Sequence, residues 1–316
     1  MHERQNRVWI RLWLLGMLWS TLFFSLRTHS STFDDAYITY RYARNIASGQ
    51  GFTYNKGEMV LGTTTPLYTL LLAGLSRLWS DIPKLSHYIS SYAWLLCIPV
   101  LYRIGRSQGH EEAGLAASAV LSSNALFVNA LGMETSLYIL LILLTFYFYL
   151  HNSPNLASLC AGLAFVARWD GVLVVGVFLF AEFLRHRWRM LYPSLICILI
   201  ILTWLTYSHI VFGSIFPNTF FAKVGQSTKT EFGGEMGAFA QGIILYASEA
   251  YNVSQLFILL PLFGATGIVI ALARKVHWWP ILLWTTGYAV GYTILGVLRF
   301  AWYYPPLIPV SYTHLR

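Results

Sequence analysis

Asp34 and Asp35 stand side by side just past the apolar run Val8–Leu26, followed by Ala-Tyr-Ile-Thr-Tyr-Arg-Tyr-Ala-Arg-Asn. A carboxylate within hydrogen-bond reach of a hydroxyl can take its proton as that oxygen attacks, which is general-base chemistry. The spacing predicts a helix from Asp35 to about Ser48, ended by Gly49 and Gly51. On it Asp34, Tyr37, Arg41 and Arg44 fall at i, i+3, i+7 and i+10 on one stripe. Adjacent helical residues point about 100° apart, so the two aspartates have different jobs. The plainer reading makes one of them a helix cap and leaves both solvated. Two acids beside a membrane-length run exceed what a cap needs, and membrane-edge charge is usually functional.

The elements that must hold these residues follow from composition. Hydrophobic residues are 56% of 316 and charged residues 11%, with a mean hydropathy of +0.55. A soluble domain carries about 25% charge, so this chain has too little to cover a soluble surface. Recurrent Leu, Ile, Val, Gly and Trp runs predict an all-α, polytopic transmembrane bundle rather than a barrel. The expected spans are 8–27, 84–103, 112–131, 134–151, 154–169, 171–186, 190–211, 254–273 and 277–297, about nine in one module covering 1–316. The net charge of +8 belongs to helix ends, not to a nucleic-acid surface. Cys97, Cys160 and Cys197 all fall in apolar segments and read as packing residues. The basic start at Arg4, Arg7 and Arg11 precedes an apolar run with no Ala-x-Ala-like cleavage site, which predicts a retained first helix.

With the N-terminus in the cytoplasm, the short loops on that side receive Arg103, Arg106, Arg185, Arg187, Arg189, Arg274 and Lys275. The other side receives two long segments, about 28–83 and 212–253. The first contains an interfacial helix predicted over Thr65–Trp79, too short to span and interrupted by Arg77. Asp34, Asp35, Arg41, Arg44, Lys56, Glu58, Glu134, Arg168, Asp170, Lys223 and Arg299 all fall at or near the extracytoplasmic ends. This asymmetry predicts one active face looking away from the cytosol.

The motifs then add a resemblance. Asp34-Asp35-Ala-Tyr-Ile, Arg41-Tyr-Ala-Arg44-Asn45, Gly49-x-Gly51 and Gly62-Thr-Thr-Thr-Pro66-Leu are similar to the first external loop of the GT-C glycosyltransferases. The match is to the branch resembling mycobacterial arabinofuranosyltransferases and, more distantly, to protein O-mannosyltransferases. Gly132-Met-Glu134-Thr135, Arg168-Trp-Asp170-Gly171, Phe216-Pro217-Asn218-Thr219-Phe-Phe-Ala-Lys223 and Arg299-Phe-Ala-Trp-Tyr303-Tyr304-x-Pro follow in the same order. Trp169 stands where such enzymes carry proline. Their further C-terminal helices and soluble external domain have no counterpart here, and the expectation is a C-terminally truncated chain.

The resemblance implies a cell-membrane enzyme whose sugar donor is a polyprenyl phosphate, with transfer by inversion to a glycan, lipid or protein acceptor. It implies Asp34 as the base, with Asp35 second. The leaving phosphate gathers negative charge and needs fixed cations; Lys223 and Arg299 come first, then Arg41 and Arg44. Tyr37, Lys56, Glu134, Arg168, Asp170, Asn218 and Tyr303 would shape the pocket, Glu134 in a helix's first turn and Arg168 with Asp170 as an ion pair. In some members a divalent metal (Mg or Mn) bridges donor phosphate and an aspartate, here Asp34 or Asp35. No two of the nine histidines have metal-ligand spacing, and there is neither a P-loop nor a Rossmann fingerprint. The alternative reading is a multi-pass transporter or lipid flippase. Such proteins place charge at the bilayer midplane and carry internal repeats, neither of which this chain displays.

Overall fold

The computed structural model describes residues 2–28, 33–218, 237–253 and 279–308. Lys223, the expected span 254–273 and residues 311–316 lie outside them. Every regular element among the described residues is helical. In chain order these are α1 His2–Arg27, α2 Asp34–Ala47, α3 Pro66–Leu75, α4 Ile82–Ser107, α5 Glu111–Ser122, α6 Ala125–Asn129, α7 Thr135–Leu150, α8 Pro154–Ala167, α9 Gly171–His186 and α10 Leu191–Phe212. Two more run over Ala238–Val253 and Trp279–Ile294.

Local chemistry explains the boundaries. Asp34 and Asp35 occupy the first turn of α2, where exposed backbone N–H groups favour negative charge. Pro66 and Pro154 open α3 and α8, where a missing N–H costs nothing. Gly213, at φ +68°, closes α10 in the left-handed conformation, with its amide on the His209 carbonyl at 3.0 Å.

Among the described residues two helices, Val8–Arg27 and Leu191–Phe212, are long and apolar enough by length and composition to cross a membrane. Thr135–Leu150 and Pro154–Ala167 are apolar but shorter. Several expected boundaries shift. The run 112–131 is not one helix, because Ser123 ends α5 and Asn124 restarts the chain: its Oδ1 accepts the Leu126 amide at 2.9 Å. Of the helix expected over Thr65–Trp79, α3 alone forms, ending at Leu75 before the turns around Arg77. The long segment expected over 212–253 contains the helix Ala238–Val253.

The chain forms two compact units. The first comprises 1–29, 91–129 and 231–316. There α1 packs on α5, the Trp94 indole donates to the Leu121 carbonyl at 3.0 Å, and its ring stacks on Phe127. A Cβ on Gly105 would lie 2.6 Å from the Gly114 Cα, so those helices meet backbone to backbone. The second unit comprises 30–90 and 130–230. Its centre is α8, packed against α7, α9 and α10, with α2 and α3 joined beside it.

Candidate functional site

Within the second unit, α2 presents the stripe its spacing predicts. Asp34, Tyr37, Arg41 and Arg44 are exposed, Asp35 is half-buried, and Ala36, Thr39, Tyr40, Tyr42 and Ala43 are buried behind them. The N-cap is Phe33, in extended conformation and without a side-chain cap, so neither aspartate serves as the N-cap.

The buried side of α2 is fixed by hydrogen bonds across long stretches of chain. The Tyr40 and Ser86 hydroxyls both donate to the Gly132 carbonyl at 2.6 Å, and the Gly132 amide donates to Ser90 Oγ at 2.8 Å. Tyr68 is bonded to Ser86 Oγ at 2.7 Å. Gly132 sits at φ +87°, a backbone conformation that side chains disfavour, which explains glycine at this junction. Burial pushes the Tyr40 and Tyr68 hydroxyls well above the usual tyrosine range, so they remain protonated donors. A second cluster of buried hydroxyls joins Thr39 to Thr65 at 3.2 Å and Thr63 to Thr65 and Thr69 at 3.2 and 3.4 Å.

The Gly-rich loop after α2 is clamped at several points. Arg41 Nε donates to the Tyr54 carbonyl at 2.9 Å and Nη2 to Asn55 Oδ1 at 3.0 Å, with the guanidinium carbon 4.5 Å from the Tyr54 ring centre. Asn45 Nδ2 donates to the Thr53 and Tyr54 carbonyls at 2.8 and 3.0 Å. Tyr42 donates to the Val60 carbonyl at 2.6 Å and accepts the Gly62 amide at 2.8 Å. Burial raises its hydroxyl above the usual range as well. Phe52 is buried among Tyr42, Trp204, Tyr207 and Phe212, with ring centres 5.3 to 6.4 Å away, anchoring the loop on the end of α10. Lys56 is left exposed at the loop tip, and Glu58 accepts Asn55 Nδ2 at 3.0 Å.

Between α8 and α9 the chain breaks at Arg168, whose backbone is extended. Its buried guanidinium grips Asp170 through Nε–Oδ1 at 3.0 Å and Nη2–Oδ2 at 3.1 Å, and reaches Glu134 Oε1 with Nη1 at 3.4 Å. Arg168 also lies 5.2 Å from the Tyr138 ring centre. Trp169 packs between Phe165 and Phe216, at 5.2 and 5.6 Å. Gly171 starts α9 where a Cβ would fall 2.5 Å from the Ala164 carbonyl oxygen, so the α8–α9 corner needs glycine. Asn218 is exposed, and its amide donates to the Leu61 carbonyl at 2.9 Å.

Arg299 and Tyr303 belong to the first unit. Arg299 is half-buried, and its carbonyl accepts the Tyr246 hydroxyl at 3.4 Å. The Tyr303 carbonyl accepts the Tyr288 hydroxyl at 3.0 Å, within an aromatic group where Phe239 stacks on Tyr304 at 4.6 Å. Among the described residues no three His, Cys, Asp or Glu side chains come together as a metal-binding group.

No family model and no curated protein matches the chain in sequence. Solved structures match it in fold. ArnT from Cupriavidus metallidurans, in a crystal structure bound to undecaprenyl phosphate, superposes with a TM-score of 0.68 at 15% identity, over 96% of this chain and 59% of ArnT. The Archaeoglobus fulgidus oligosaccharyltransferase in its apo form gives 0.63 at 13% identity, over 96% of this chain and 50% of its own. The archaeal oligosaccharyltransferase AglB from the same organism, in complex with an inhibitory peptide and a dolichol-phosphate, gives 0.62 at 13% identity, over 98% and 50%. The chain thus spans half to three-fifths of the length of these structures, and at such identities the likeness is one of fold.

Proposed function

We propose that this chain is a GT-C-like membrane glycosyltransferase that moves a sugar from a polyprenyl-phosphate donor to an acceptor hydroxyl on the extracytoplasmic side, with inversion. The observation that carries the reading is the exposed Asp34 carboxylate, set on a helix whose opposite side is locked by buried hydrogen bonds. The shared fold supports it, because matching structures hold undecaprenyl phosphate or a dolichol-phosphate. The proposal includes about nine spans in one module and a cytoplasmic N-terminus, as the loop charges imply.

In the reaction the Asp34 carboxylate takes the proton of the acceptor hydroxyl as its oxygen attacks the anomeric carbon from the face opposite the phosphate. A new C–O bond forms, the bond from that carbon to the phosphate oxygen breaks, and the electron pair leaves with the polyprenyl phosphate. Asp35, half-buried in the same turn, orients the acceptor or replaces Asp34. The positive charge that the departing phosphate requires is assigned from the motifs alone, to Lys223 and Arg299 first and then to Arg41 and Arg44. Arg41 adds charge to the same stripe while tethering the loop. Glu134, Arg168 and Asp170 hold the framework, Tyr37, Lys56 and Asn218 border the substrate, and Tyr303 is assigned to it from its motif alone. A divalent cation held by Asp34 or Asp35, as the motif resemblance implies, would add positive charge at the donor phosphate.

The test is transfer from a panel of synthetic polyprenyl-phosphate sugars by the purified protein in nanodiscs, with the product's anomeric configuration read by NMR. Turnover of one donor with inversion supports the reading. Retention, or export of intact lipid-linked sugar without transfer, overturns it.

A further inference from the structure

Tyr37 is half exposed, yet its ring is not free to wander. It packs edge-on against Tyr40 with ring centres 5.3 Å apart and planes at 69°. Tyr40 is 2% exposed and held through its hydroxyl by Gly132 at 2.6 Å. An aromatic side chain held half-exposed on so rigid a support is pre-organised for a ligand. Its neighbours define the ligand. Asp34 lies one helical turn before it, a Cβ separation of about 5–6 Å on a helix surface. Arg41, one turn after it, is already occupied by Tyr54 and Asn55. Along the stripe, Tyr37 is one flat apolar face between the Asp34 carboxylate and Arg41, with Phe33 exposed at the helix cap.

A carbohydrate ring fits that pattern. Its C–H face lies on an aromatic ring, and a hydroxyl at the ring's rim reaches a carboxylate one ring-width away. An alkyl acceptor would call for a continuous apolar groove, whereas this stripe is polar on both sides of Tyr37. An extended peptide would call for backbone partners, whereas α2 offers only side chains.

We infer that Tyr37 is the platform for the acceptor's sugar ring, and that the acceptor is accordingly a glycan. This rests on the glycosyltransferase reading above and narrows it. The platform holds the ring while Asp34 deprotonates one of its hydroxyls, so the two residues govern different quantities.

The experiment pairs turnover with binding. Turnover uses the active polyprenyl-phosphate sugar with octyl glycosides, or a serine-containing peptide, as acceptor. Binding uses methyl glycosides and saturation-transfer NMR, which needs no catalysis. Tyr37→Leu is expected to raise the acceptor KM about tenfold, the scale of one lost ring contact, with donor KM little moved. Tyr37→Phe, which keeps the ring, is expected to restore it. Asp34→Asn is expected to lose turnover while the methyl glycoside still takes up saturation; Tyr37→Leu should lose that signal. An unchanged acceptor KM and NMR signal in Tyr37→Leu would overturn the platform, as would transfer to the peptide in preference to every glycoside. Asp34→Asn with full turnover would instead remove the proposed base, leaving the binding result to decide Tyr37. If no donor turns over, the NMR arm alone decides: ring saturation lost in Tyr37→Leu upholds the platform, and its persistence refutes it.

Discussion

Arg168 and Asp170 face each other through two parallel hydrogen bonds, Nε–Oδ1 at 3.0 Å and Nη2–Oδ2 at 3.1 Å, across the break between α8 and α9. The same guanidinium reaches the buried Glu134 at the start of α7. One cation thus satisfies two carboxylates and pins three helices at one corner. Arg168→Met would leave both acids without it and is expected to cost about 3–5 kcal/mol. Replacing Glu134, Arg168 and Asp170 together by apolar residues of similar volume should recover much of that loss. Thermal unfolding in detergent, followed by tryptophan fluorescence, measures both. An Arg168→Met protein as stable as the wild type would contradict the assignment.

Gly171 meets the Ala164 carbonyl and the Phe165 Cα closely, and both obstacles are backbone. Gly171→Ala is expected to destabilise by about 1–3 kcal/mol, the usual scale of overpacking. Gly176, on the same helix with open space at its Cβ position, is the control: Gly176→Ala should be neutral or slightly stabilising in the same assay.

Phe52 fastens the loop after α2 to the end of α10. Phe52→Ala should release that anchor, at a cost of about 3–5 kcal/mol if the site does not collapse. Limited trypsin digestion gives a local reading, because Lys56 stands exposed at the loop tip. Cleavage after Lys56 should accelerate in Phe52→Ala and, more weakly, in Arg41→Gln. Cleavage at the wild-type rate in both would show that the loop is held elsewhere.

The arginines of α2 divide in a testable way. Arg44 is exposed, while Arg41 spends two of its donors on the loop. Arg44→Gln is expected to raise the donor KM without altering trypsin cleavage at Lys56. Arg41→Gln should change both. Equal effects of the two variants on the loop would remove the distinction.

The legible part of this molecule is the part encoded by short spacing. The exposed stripe of Asp34, Tyr37, Arg41 and Arg44 follows from helical periodicity alone, and the Arg168–Asp170 pair lies two residues apart. The locks behind them are not written locally. Tyr40 meets Gly132 across 92 positions, and Phe52 meets the end of α10 from a loop that reads as ordinary turn sequence. Two aromatics in a Gly-rich loop, Phe52 and Tyr54, are the available signal for the anchor, and the Gly132-Met-Glu134 motif marks the other junction without revealing its partners. The break after α5 was signalled by Ser123-Asn124, a pair whose side chains compete for backbone groups. Apolar continuity masked it, because composition counts hydrophobicity and overlooks one capping side chain.

The central claim is that Asp34 is the base of a glycosyl transfer. The direct measurement compares wild-type protein and Asp34→Asn for transfer from whichever polyprenyl-phosphate sugar the wild type turns over, with thermal unfolding run on both. The account predicts a fall in kcat of about 10²–10⁴, the range of general-base catalysis, with unchanged donor KM and unfolding temperature. Retained kcat in a folded Asp34→Asn protein would contradict it.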